Sequence, residues 1–127
     1  VDQFLKKMIQ NYTISEAENL MKKGYVFSFT DAFKFPSREF FKRYFYEEGY
    51  KDGSHGLILS LLMAFYHFVV FVRIWEKRGY DQTETLPIVK TEFKLFKNDM
   101  KYWINHEQIK KTPKLLRPII KIIHKLQ

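Results

Sequence analysis

Residues 53–72 contain no Asp, Glu, Lys or Arg, and from residue 57 onward that run is broken only by Ser60, Tyr66 and His67. The sequence predicts a central apolar helix over about 57–78, against which the rest of the chain must arrange itself. At about 1.5 Å per residue, the sixteen positions 57–72 reach roughly 24 Å, short of the roughly 30 Å hydrocarbon core of a bilayer. The run is therefore marginal as a perpendicular span, and its composition is equally compatible with re-entering a membrane or packing in protein. Arg73, Lys77 and Arg78 beyond it are balanced by Lys42, Arg43 and Lys51 before it, so the cation bias gives no orientation. Tyr50 and Trp75 stand near its two ends, where amphipathic rings favour an interface.

The flanking segments also carry helical periodicity. Val1, Phe4, Leu5, Met8, Ile9 and Tyr12 recur at steps of three and four, and Thr13 and Ser15 stand three residues before Glu16 and Glu18 as overlapping capping boxes. Two short helices are expected there as a hairpin, the second ending near Gly24. No clean period emerges over 25–36, where a strand is the nearest fit. Ser37 is the expected N-cap of a helix whose stripe is Phe40, Phe41, Tyr44 and Phe45 and whose end is Gly49.

Lys51-Asp52-Gly53-Ser54-His55-Gly56 is expected to turn, its two glycines permitting backbone angles that other residues resist. Asp52 is placed to accept hydrogen bonds from the free amides of the following helix and to complement its dipole. After a polar loop over 79–87, Val89, Phe93, Phe96, Met100 and Trp103, with Ile104 alongside, form one helical seam that implies a partner helix. Pro113 and Pro118 bracket a terminal helix. The expected fold is all-α: five or six amphipathic helices in a single unit around the central apolar one.

The chain is long enough, at 127 residues, for one modest core. It begins at Val1 with residues already helical in pattern, and is read as a piece of a longer polypeptide. Aromatic residues make up 18%, more than so small a core usually requires. The net charge of +8 is uneven: residues 1–105 hold sixteen cations against thirteen carboxylates, and residues 106–127 six against one. Leu and Ile line one side of the tail and Lys114, Arg117, Lys121 and Lys125 the other, a pattern suited to a helix lying among acidic lipid headgroups. The same pattern also describes an ordinary surface helix. A single-strand nucleic-acid groove would interleave aromatics with cations, whereas here most aromatics fall on apolar faces.

Chemistry is thinly represented. His55, His67, His106 and His124 never share a helix face with a carboxylate at metal-ligand spacing, and no metal site is expected. Glu47 and Glu48 are neighbours and diverge by about 100° on a helix, so they cannot address one substrate together. Gly49-Tyr50-Lys51-Asp52-Gly53 lacks the spacing and trailing residues of a phosphate loop. Without cysteine there is neither disulfide nor thiolate site, which suits a reducing compartment. No catalytic residue is assigned.

Asn11-Tyr12, Glu16-Ala17, Gly24, Pro36, Phe40, Tyr44, Gly49-Tyr50, Asp52-Gly53, Gly56-Leu57, Tyr66-His67-Phe68 and Trp75-Glu76 occur in an order that resembles the segment after the catalytic domain in bacterial family 2 glycosyltransferases of cell-envelope glycan synthesis. The pattern there is an aromatic helix, a Gly-aromatic-x-Asp-Gly turn and an apolar helix closing in Trp-Glu. The resemblance covers about residues 8–78; residues 80–127 lie outside it, and Ser54 departs from the larger side chains often found at its position. It implies an upstream α/β domain that binds a nucleotide-sugar and holds a divalent metal by an Asp-x-Asp motif, and this chain contains no Asp-x-Asp.

On this reading the segment is a non-catalytic appendage without a cofactor of its own, at the cytoplasmic face of an inner membrane in peripheral or monotopic fashion. Membrane or partner contacts are expected at Phe40, Phe41, Tyr44, Phe45, Tyr50, Leu57, Leu61, Phe65, Phe68 and Trp75, and acidic-lipid contacts at Arg117, Lys121 and Lys125. Gly49, Asp52, Gly53 and Gly56 are expected to shape the turn. The expected partners are acidic lipid, the chain's own upstream domain and a possible homo-oligomer; nucleic acid is not expected. The alternatives are an oligomerisation module of the same enzyme or an unrelated helical interaction protein.

Overall fold

A computed structural model of the protein describes residues 1–111, 121–123 and 125. The fold is all-α. Its described helices are α1 (Asp2–Lys7), α2 (Thr13–Lys22), α3 (Asp31–Phe41), α4 (Gly53–Lys77) and α5 (Leu86–Lys111), and no strand occurs among the described residues. Two compact units divide the chain, Val1–Glu92 and Phe93–Gln127.

The expected hairpin over 1–24 is a single helical arm instead. A π turn, Met8–Tyr12, joins α1 to α2 with right-handed helical angles on both sides. Thr13 does not cap. It is fully buried, and its hydroxyl donates to the Met8 carbonyl at 2.7 Å, satisfying inside the helix the group that would otherwise have started a new one. The arm stops at Gly24, whose φ of +86° allows Gly24 N–H to reach the Met21 carbonyl and Tyr25 N–H the Leu20 carbonyl.

Residues 25–28 are irregular rather than a strand. Helix α3 begins at Asp31, six residues before the expected start at Ser37, and Pro36 lies inside it. Proline forfeits the bond to the Ala32 carbonyl, and the helix continues through it. Ser37, displaced from the capping position, turns its hydroxyl toward the Lys34 carbonyl at 3.4 Å. A second π turn, Lys42–Tyr46, extends α3. The left-handed residue that breaks the helix is Glu48, φ +61°, not Gly49. A short 3-10 turn, Gly49–Asp52, then leads into α4.

The three glycines of this turn do different work. Gly53 takes a φ of +60°. Gly56 is already within α4, and its role is close approach: a Cβ there would stand 1.8 Å from the Gly49 carbonyl oxygen. A Cβ on Gly49 would stand 2.7 Å from the Arg43 carbonyl oxygen. Asp52 occupies the N-cap position, yet its side chain makes no capping hydrogen bond, which leaves its charge near the helix start as its remaining contribution.

The core of the first unit lies between α2, α3 and α4. Ala17, Val70 and Ile74 are fully enclosed, with Leu20, Tyr25, Phe27, Phe35 and Tyr66 packed around them. Phe71 stacks on Phe27 at 5.4 Å and meets Phe35 edge-on at 6.3 Å. The Tyr25 hydroxyl donates to Asp31 Oδ2 at 2.5 Å; burial, and then the neighbouring carboxylate, push this phenol above the usual tyrosine range, so it stays a neutral donor. Helix α4 ends as the arm does, with Gly79 at φ +81°, Tyr80 N–H bonded to the Trp75 carbonyl, and the two rings 5.0 Å apart.

Gly56→Ala is expected to cost about 3 kcal/mol or more, because the new methyl meets backbone that cannot rotate away. Gly24→Ala, at an open position with positive φ, should cost only about 1–2 kcal/mol. Urea unfolding midpoints of the two variants check the order; equal losses would contradict the close approach.

Candidate interaction surface

Helix α4 is two-sided in an unusual way, since both sides are uncharged. Gly56, Ser60 and Ala64 form a buried row of small residues, continued by Phe71 and Ile74. Small side chains let the neighbouring backbone come close, and Ser60 satisfies its hydroxyl within the helix by donating to the Gly56 carbonyl at 2.7 Å. Leu57, Ile58, Leu61, Phe65 and Phe68 fall within about 100° on another side. These five retain between 38% and 54% of their surface in contact with solvent. A core helix of this composition would be mostly enclosed, whereas only 22% of the most apolar window of Gly49–Lys77 is buried. Among the described residues, that is the one helix long and apolar enough to cross a membrane.

The cations that follow this face are engaged within the fold. Arg73 donates to the Ile9 carbonyl at 2.6 Å, tying α4 to the π turn of the arm. Lys77 pairs with Glu18 at 3.1 Å, again across to the arm. Arg78 pairs with Asp81 at 2.6 Å and lies over the Phe27 ring at 4.6 Å. Trp75 is half-buried, its indole N–H donating to the Asp81 carbonyl at 2.7 Å.

The ten expected contact residues thus separate into groups. Leu57, Leu61, Phe65 and Phe68 lie together on the exposed face of α4, joined by Ile58, which the sequence reading missed although its spacing fits. Phe41 and Phe45, also expected as membrane or partner contacts, are buried among the chain's own residues. They pack with Phe40, Tyr44 and Tyr50 in one aromatic cluster, in which Phe40 and Tyr44 stack at 5.3 Å and Tyr44 meets Tyr50 at 6.0 Å. Phe40, Tyr44 and Tyr50 are half-buried. Lys121 and Lys125 are exposed, and Arg117 lies outside the described residues.

One polar cluster is enclosed between α3 and α4. Glu39 is buried; its Oε1 accepts from Arg43 Nε at 2.5 Å and its Oε2 lies 3.4 Å from His67 Nε2. Spacing along one helix could not reveal this pairing, because the imidazole comes from a different helix. A carboxylate with both oxygens occupied by neighbours is a clamp rather than a base awaiting substrate. No group of three metal-ligating side chains occurs among the described residues. An open cleft of about 390 Å³ beside α2 is lined by Tyr12, Ser15, Glu16, Asn19, Leu20, Lys23 and Tyr66. Burial, and then the neighbouring Glu16 carboxylate, push the Tyr66 phenol above the usual tyrosine range, so it stays neutral.

The chain matches no family model, no curated protein and no solved structure. The resemblance to family 2 glycosyltransferases therefore rests on the residues quoted for it alone. The geometry defines an all-α body with an uncovered apolar face.

The two sides of α4 should respond oppositely to substitution. Leu61→Ser is expected to change stability by less than about 0.5 kcal/mol, while Ala64→Leu, forcing bulk into the close-packed side, should cost about 1–3 kcal/mol. Thermal unfolding of both variants tests this.

Proposed function

We propose that this chain is the membrane-docking appendage of a family 2-like glycosyltransferase, which holds the enzyme at the cytoplasmic leaflet while sugar passes from a nucleotide-sugar to a cell-envelope acceptor. The observation that carries the docking part is the contiguous, charge-free face of Leu57, Ile58, Leu61, Phe65 and Phe68 left outside the core. Burying each such side chain contributes roughly 1.5–3 kcal/mol when complete, so even partial insertion of five suffices for association. Lys121 and Lys125 are exposed and available to acidic headgroups. The transferase part is supported by the residue order over 8–78, and the donor site, metal and catalytic base are assigned to a separate upstream α/β domain.

Vesicle flotation tests docking. The chain is expected to float with vesicles, and Leu61→Ser combined with Phe65→Ser should weaken binding by about tenfold or more. Reversing the charge of Lys121 and Lys125 should weaken binding to acidic vesicles only. A soluble dimer that ignores vesicles, with the same face protected in the dimer, would replace docking by subunit packing. The transferase assignment is tested by the coding sequence preceding Val1, which should specify an α/β domain with Asp-x-Asp.

A further inference from the structure

Helix α5 carries a second exposed surface of a different kind. Within the second unit every residue from 93 to 99 is exposed. At 100° per residue, Phe93, Lys94, Lys97, Lys101 and Ile104 fall within one sector of about 100°. Phe93 is 65% exposed and Ile104 44%, and the three lysines are exposed as well. No ion pair engages those lysines among the described residues. Asp99 is the sole carboxylate over 93–106 and lies on the opposite side of the helix.

We infer that this sector of α5 is an acidic-lipid contact, lying in the headgroup layer with Phe93 and Ile104 inserted and Lys94, Lys97 and Lys101 reaching phosphates. This rests on the docking reading above and deepens it by naming a further set of residues that select acidic lipid. The cations give complementarity to an anionic surface, and the lysine stems are long enough to keep the charge among headgroups while the helix sinks beside them. The apolar residues distinguish lipid from a soluble polyanion. Nucleic acid or an acidic protein would satisfy the lysines, but only a bilayer offers negative charge directly above a hydrocarbon layer that would take up Phe93.

The test uses the whole chain with vesicles of phosphatidylcholine alone and of phosphatidylcholine mixed equally with phosphatidylglycerol. Lys94→Glu, Lys97→Glu and Lys101→Glu together are expected to lower affinity for the acidic vesicles by at least about tenfold and to leave binding to the neutral ones unchanged. Phe93→Ser should weaken binding to acidic vesicles several-fold. All four positions are exposed, and circular dichroism verifies that helicity is retained. A triple variant that keeps the full acidic preference overturns the inference and leaves α4 docking standing. So does loss of the whole preference on reversing Lys121 and Lys125 alone. Undiminished acidic-vesicle affinity of Phe93→Ser overturns the insertion of Phe93, and with it the argument that separates lipid from a soluble polyanion. A wild-type chain that ignores both vesicle types overturns the docking reading and this inference together.

Discussion

Helix α4 is held in place by the absence of a side chain. Gly56 meets the Gly49 carbonyl so closely that no Cβ fits between them, and Ser60 and Ala64 continue the small-residue row along the buried side. The consequence reaches around the helix. A side packed through small residues encloses little apolar surface per residue, so over the first half of α4 the large side chains fall on its other faces. Phe71, Val70 and Ile74 find cover against Ala17 and the aromatic residues of 25–35, near the C-terminal half. Leu57, Ile58, Leu61, Phe65 and Phe68 do not.

The polar contacts around α4 reinforce this one-sidedness. Glu39 with Arg43 and His67 clamps it to α3, while Arg73 and Lys77 reach the N-terminal arm. Each fixes the rotation of the helix about its own axis, and so fixes which residues face outward. A charged residue anywhere in the outward sector would have made it an ordinary solvated face. Its absence over residues 53–72 turns an accident of packing into a surface with a preferred environment.

Much of this was legible in the sequence and some was not, for separable reasons. The central helix announced itself because charge is absent over a long run, a signal independent of register. Gly24 marked a helix end correctly, since a left-handed closing residue leaves a local trace. Helix starts were less legible. Thr13 and Ser37 are good caps in isolation, but Thr13 is buried within a continuous arm and Pro36 was absorbed into α3 instead of preceding it. Gly56 looked like a turn residue and serves as a contact residue, a distinction that depends on where Gly49 lies in space. The aromatic stripe of 40–45 looked like surplus and is partly core, because Phe41 and Phe45 pack against their own neighbours. Pairings between helices, such as Glu39 with His67, leave no spacing along the chain for sequence reasoning to find.

We propose that the outward face of α4 lies against lipid. The chain has no cysteine, so a nitroxide placed at Leu61→Cys or Phe65→Cys reports on one position only. With acidic vesicles added, both labels should become more accessible to oxygen and less accessible to a water-soluble nickel complex, while a label at Lys22→Cys on the exposed arm should keep its aqueous signature. Unchanged collision rates at 61 and 65 in the presence of vesicles, or protection from both reagents before any lipid is added, would contradict the account.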